Sequence, residues 1–164
     1  RHFGVSNQNP MMMELLKTAV KQPLKVNQLQ LSAAFTPSFE AGFHVNMEGP
    51  KAAVRDGSVF EYCRLTDTVI QAWSVLQHGY FKGNFVGKEE FSALNHVLND
   101  LAKKYQVTPT AIALAWVLRY PGKMQAVIGT TNPQHVLEAG KATEVTLTRK
   151  EWYQIYLAAG NDLP

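Results

Sequence analysis

The side chains most able to do chemistry sit in short polar clusters that follow apolar runs: Ser6 and Asn7, Gln28 and Gln30, Trp73 and Ser74, and Thr130, Thr131 and Asn132. They are amides and hydroxyls with one large aromatic. Such groups hydrogen-bond a carboxamide or a phosphate and stack on a flat ring, but none is an ordinary general base, nucleophile or metal ligand. The set reads as a holder. Each member also has a plain structural reading: Ser6 and Asn7 as caps of a following helix, Gln28 as a satisfied core amide, Trp73 as a core aromatic. Thr130 to Pro133 is a strand-to-helix turn, whose N–H groups and positive helix end suit an anion. His44 and His78 fall in irregular stretches and His2, His96 and His135 in or beside regular ones. No pair has the close spacing of a helical metal site, so no metal is expected.

Strand-like and helix-like runs alternate around these clusters. A short strand at 2–5 leads through Ser6–Asn9 into a helix over 10–21, with Pro10 at a first helical position. Pro23 ends it. The next strand, 25–31, places Val26, Gln28 and Gln30 on one face and Asn27, Leu29 and Leu31 on the other. Residues 32–56 form the longest irregular stretch, with room for short helical pieces, and a stretch that long is more often a binding loop than an idle connection. A helix over 59–66 capped by Ser58, a strand over 69–73, a second long loop over 74–87 and an amphipathic helix over 88–105 follow. Thr108-Pro109 opens a helix to 119 that is apolar on nearly every side, which predicts packing on several faces. A strand at 125–128, a helix from Asn132-Pro133 to 140, and a last helix with a Thr148/Glu151 capping box complete the pattern. The acids of 138–151 and the lysines of 82–104 read as solvated faces.

Four strands separated by helices predict a parallel sheet with right-handed crossovers. No glycine-rich dinucleotide fingerprint follows the first strand, so half of an eight-stranded βα barrel fits better than a doubly wound fold. In such a barrel the clusters fall at the C-terminal strand ends, where function sits.

Composition narrows the class. The 164 residues, 46% hydrophobic and 18% charged, suffice for one compact domain. A net charge of +3 without a Lys/Arg block gives no reason to expect nucleic acid. One cysteine, Cys63, rules out an internal disulfide and suits a reducing cytoplasm. No run approaches the length of a membrane span, and no signal peptide opens the sequence. It starts at Arg1 and enters a strand directly, which predicts a piece of a longer protein.

Four segments in order then carry a resemblance: Gly4-Val5-Ser6-Asn7, Val26-Asn27-Gln28-Leu29-Gln30, Ala72-Trp73-Ser74-Val75-Leu76, and Val127-Ile128-Gly129-Thr130-Thr131-Asn132-Pro133. Together with Ile112–Arg119 and the tail from Leu147, they resemble the aldo-keto reductase superfamily, in the bacterial oxidoreductase type. The resemblance implies an α/β fold of the (β/α)8 TIM barrel kind, with residues 1–164 as one domain forming the C-terminal half-barrel, strands five to eight. It implies that Ser6, Asn7 and Gln28 hold a nicotinamide carboxamide and that Trp73, where many relatives have Tyr, stacks on the ring. Ser74 and Leu76 would meet the pyrophosphate, and the loop to Gly87 would fold over the cofactor. Thr130 and His135 would lie near the adenosine 2′-phosphate, with Glu138 at the adenine.

The family's catalytic Asp, Tyr, Lys and His come from its first four strands, so no catalytic residue is assigned and the isolated chain is expected to be inactive. Gly129 and His135 stand where many relatives carry Lys and Arg, and both cations favour the phosphorylated cofactor. NADPH is nevertheless the expected cofactor, with NADH as the alternative. The expected parent is a cytoplasmic NADPH-dependent reductase of aldehydes or ketones, partnered by its N-terminal half or by a second copy, and by neither nucleic acid nor membrane. The alternative is a non-catalytic cofactor-binding or regulatory module of the same fold. Phe35, Phe39, Phe43 and Phe81 would suit a hydrophobic carbonyl substrate.

Overall fold

The computed structural model describes residues 2–43, 58–79 and 82–163. Four parallel strands, β1 (Phe3–Ser6), β2 (Leu24–Gln30), β3 (Val69–Trp73) and β4 (Met124–Ala126), pair in the order β1-β2-β3-β4. The α-helices are α1 (Pro10–Ala19), α2 (Pro37–Phe43), α3 (Ser58–Leu65), α4 (Ser92–Tyr105), α5 (Pro109–Leu118), α6 (Pro133–Gly140) and α7 (Arg149–Ala158). Sequential strands that are neighbours and all parallel, with helices between them, form half of a βα barrel. Most strand and helix ends shift by a residue or two from those the periodicity predicts. The irregular stretch from 32 holds a helix, α2, and β4 stops at Ala126: Val127 N still donates to Ala72 O at 2.8 Å, and Ile128 to Asn132 form the turn into α6. The predicted helix at 88 also begins later, after a 3₁₀ turn at Glu89–Phe91.

Local chemistry explains the helix starts. Asn9 Oδ1 accepts from Met12 N at 2.9 Å and Pro10 sits just inside α1. The cap is therefore Asn9, which removes the capping reading of Ser6 and Asn7. Thr108 caps α5 in the same way, with Pro109 inside it. Residues 111–117 of α5 are all buried, because it lies against α4, β4, α6 and the 3₁₀ turn at Lys141–Glu144.

The strands show the predicted alternation. On β2, Asn27 and Leu29 face the helices and are buried, while Val26, Gln28 and Gln30 are half-exposed on the opposite face. On β3, Ile70 and Ala72 are buried and Val69, Gln71 and Trp73 are not. Gly4 pairs with Val26, and a Cβ there would lie 2.8 Å from the Val26 Cβ, so this close approach requires glycine. Asn27 is fully buried but satisfied: its Nδ2 donates to Gln8 O at 2.8 Å, tying β2 to the β1–α1 turn.

Burial sets the state of Cys63. Its thiol is pushed up to about 11, with burial the main cause, opposed by a hydrogen bond with Asn27 and assisted by the Glu61 charge. The native protein should resist Ellman's reagent and label fully in denaturant. Labelling of the folded protein as fast as a free thiol would contradict this placement.

Glu151 departs from the solvated face assigned to its segment, being buried at the start of α7. The capping box is complete: Thr148 Oγ1 accepts from Glu151 N at 3.3 Å, and Glu151 Oε2 accepts from Thr148 N at 2.7 Å. Lys104 and the Tyr105 hydroxyl also donate to this carboxylate. Burial alone would raise its pKa; the Lys104, Thr148 and Tyr105 bonds outweigh that and hold it at about 2, below the ordinary 4.5. A depressed carboxylate stabilises the fold above its unfolded pKa, and that contribution fades as pH falls from about 4.5 towards 2. Glu151→Ala should therefore cost about 1–2 kcal/mol at neutral pH, and the gap from the parent protein should narrow below pH 4.5. Denaturant titrations across that range read this directly; a gap independent of pH would refute it.

Among the described residues, no helix is long and apolar enough to cross a membrane. Apolar side chains are exposed at both flanks of the sheet: Phe3, Met11 and Leu15 beside β1, and Val127, Val136 and Leu137 beyond β4.

Candidate cofactor-binding site

The polar clusters converge at the C-terminal ends of the strands. After β3 the chain turns at Ser74, whose φ of 53° is left-handed, and continues into a loop held by a Gln77–Asn84 bridge and a Phe85 N to Leu76 O bond of 3.1 Å. Asn95, unremarked in the sequence, anchors this loop from α4. Its Nδ2 donates to the carbonyls of Phe85, Lys88 and Phe91, and its Oδ1 accepts from Gly87 N at 2.8 Å. A polar residue at a core position of an amphipathic helix was the available signal.

After β4, Asn132 caps α6 by accepting from Gln134 N at 2.9 Å, and Thr130 Oγ1 accepts from Asn132 N at 3.2 Å. Thr130 Oγ1 also lies 3.4 Å from His135 Nδ1, and Glu138 accepts from the Gln134 amide. The main-chain N–H groups of Gly129 and Thr130 meet no partner among the described residues.

A crevice of about 650 Å³ runs between these two turns, with Trp73, Ser74, Leu76, Thr130, His135 and Glu138 in its lining. A second, of about 280 Å³, lies towards β1 and is lined by Asn7, Leu29, Gln30, Phe35, Ser38 and Trp73. Trp73 belongs to both and joins them. Its side chain lies on the sheet face away from the helices, unlike a core aromatic packed under them. Ser6 and Gln28 line neither crevice. They are tied to Asn7 instead, since Asn7 N donates to Gln28 O at 2.8 Å and Ser6 Oγ donates to the same carbonyl at 3.3 Å. Asn7 takes a left-handed φ of 53° at this junction, a conformation Asn tolerates better than most residues.

Two buried polar atoms have no partner among the described residues: Gln30 Nε2 in the smaller crevice and Gln77 Oε1 in the larger. A ligand bearing both donors and acceptors would satisfy such groups. Among the described residues no three His, Cys, Asp or Glu side chains are grouped to hold a metal. Of the loop phenylalanines, Phe39 is a core anchor: its ring lies 4.9 Å from Phe60 and 5.6 Å from Trp116. Phe35 lines the smaller crevice. Phe81, His44 and residues 44–57 of the long loop lie outside the described residues, as does the side chain of Phe43.

The aldo/keto reductase family profile matches residues 1–158. The chain belongs to the aldo/keto reductase family, a family of oxidoreductases. It is 32% identical over 162 residues to a 6-dehydroglucose reductase of Agrobacterium fabrum, covering 98% of this chain and 47% of that protein. To oxidoreductase YdhF of Escherichia coli it is 28% identical, over 100% of this chain and 49% of that one. Its fold is similar to that of the thermostable aldo-keto reductase Tm1743, with a TM-score of 0.68 and 22% identity over 96% of this chain and 48% of the other. Giardia lamblia aldose reductase is a further structural relative, with a TM-score of 0.65 and 20% identity over 94% of this chain and 43% of that one. The chain spans about half the length of the curated relatives it matches, in agreement with four strands of an eight-stranded barrel.

Proposed function

We propose that residues 1–164 form one domain that holds the cofactor in a cytoplasmic, NADP(H)-dependent reductase of aldehydes or ketones. The observation that carries this reading is the pair of crevices meeting at Trp73. The smaller has the amide groups of Asn7 and Gln30, and the larger has the turn into α6, where the N–H groups of Gly129 and Thr130 meet no partner among the described residues. Joined at Trp73, their polar groups suit a ligand with a flat amide-bearing ring at one end and phosphates at the other. Bound nicotinamide would supply the hydride. This chain's own residues would orient it: Trp73 stacking on one face of the ring, Ser6, Asn7 and Gln28 fixing the carboxamide, and Ser74 and Leu76 beside the pyrophosphate.

At the other end Thr130 and His135 would meet the 2′-phosphate, assisted by the α6 N-terminus, and Glu138 the adenine. His135 offers a hydrogen bond where Arg would offer a bidentate fork, so the preference for NADPH over NADH should be narrower than such a fork confers. None of these residues is assigned the protonation of a carbonyl oxygen, so this half alone should bind without turnover, with the catalytic groups coming from the four βα units that complete a barrel. The apolar flanks at Met11 and Leu15 and at Val136 and Leu137 are where those units, or a second copy of this chain, would pack.

Titrating this chain with NADPH and NADH, alongside an assay for carbonyl reduction, tests the reading. Saturable binding with the phosphorylated cofactor favoured and no turnover is the expected result. Absence of binding to either would overturn it.

A further inference from the structure

Three glutamines stand side by side across the sheet. Gln28 of β2, Gln71 of β3 and Gln125 of β4 are successive Cα partners in the parallel register. Gln28 Nε2 donates to Gln71 Oε1 at 2.8 Å, and Gln71 Nε2 donates to Gln125 Oε1 at 2.8 Å. We propose that Gln71, supported by Gln125, is a positioning residue that fixes which end of the Gln28 amide faces a bound nicotinamide carboxamide. This inference rests on the cofactor reading above and deepens it.

The argument is one of polarity. An amide offers donors at one end and an acceptor at the other. Turning one amide of this ladder over would set like groups against each other, so the three orientations change only together, and a ligand donor at Gln28 Oε1 selects the ladder with Gln28 Nε2 towards Gln71. With its Nε2 committed to Gln71, Gln28 keeps Oε1 without a partner among the described residues. An acceptor is what the NH₂ of a carboxamide needs. The Gln28 carbonyl also receives Asn7 N and Ser6 Oγ, so backbone and side chain of one residue tie the β1 cluster to the ladder. Neither Gln71 nor Gln125 lines a crevice, and packing does not demand an amide at either, since both lie on the face away from the helices. Without the ladder, Gln28 would be a side chain with free torsions, able to present either end.

The test compares NADPH, its 3-acetylpyridine analogue, in which methyl replaces the carboxamide NH₂, and adenosine 2′,5′-bisphosphate, which has no nicotinamide. Gln71→Met, nearly isosteric and unable to hold the ladder, should weaken NADPH binding about tenfold. It should also abolish the preference for NADPH over the acetylpyridine analogue and leave bisphosphate binding unchanged. Gln71→Glu keeps an acceptor for Gln28 Nε2 and should restore most of that preference. Should Gln71→Met fail to fold, Gln125→Leu at the exposed end should show the same pattern with a smaller loss. NADPH affinity and analogue preference equal to the parent protein in these variants would overturn the ladder's role while leaving the cofactor reading intact. A parent protein that binds neither NADPH nor the bisphosphate would overturn both.

Discussion

Replacing Trp116 by Ala is expected to destabilise the protein by about 3–5 kcal/mol, the largest loss from any single side chain of the helical layer. Trp116 is fully buried in α5 and stacks on Trp152 of α7, with ring centroids 4.9 Å apart and planes 9° from parallel. The two indoles are also bonded reciprocally. Trp116 Nε1 donates to Trp152 O, and Trp152 Nε1 donates to Trp116 O, both at 3.0 Å. Truncation thus opens a cavity and strands a buried carbonyl and an aromatic partner, and these costs add. Phe39 packs edge-on against both rings, 5.6 Å from each, so the damage extends to the start of the long loop after β2. Denaturant unfolding followed by fluorescence measures it. A loss below about 1 kcal/mol would mean the site collapses far better than a close-packed interior allows.

Trp73→Ala is the variant expected to harm ligand binding most, raising the NADPH dissociation constant by about 10- to 100-fold. Among the described residues Trp73 is the one common to both crevices, so its loss removes the ring platform and the wall between them. Because its side chain lies away from the helical layer, stability should change much less than in Trp116→Ala. Trp73→Phe should recover part of the affinity, since a smaller ring still stacks. Isothermal titration of the variants settles the matter, and an unchanged dissociation constant for Trp73→Ala would remove the stacking role.

The two tryptophans show where sequence reading succeeds and where it stops. An apolar run without a polar face, Ala111 to Leu118, leads directly to a helix packed on several sides, and Trp116 is buried as that pattern requires. The period-two alternation of β2 and β3 likewise separates Asn27, Leu29, Ile70 and Ala72 from Gln28, Gln30, Gln71 and Trp73. Capping was harder: Asn9, rather than Ser6 or Asn7, closes α1, because several short polar residues precede Pro10 and only geometry selects among them. Asn95 was half visible: its polar side chain at a core position of an amphipathic helix is a signal, but not of its four bonds to Phe85, Gly87, Lys88 and Phe91 in the segment just before it. The acidic character of Glu151 suggested solvent, yet the capping box and Lys104 draw it inside.

What local sequence determined by itself was the succession of elements, the faces of the strands and the family to which the chain belongs, because periodicity, caps and motif order are properties of neighbouring residues. Tertiary structure alone decided which polar side chains meet. Gln28, Gln71 and Gln125 are 43 and 54 residues apart along the chain, and only parallel register brings them into line. The joining of two crevices at Trp73 has the same origin. Strand order and register are set by the packing of the whole sheet against its helices, and no short stretch of residues encodes that sum.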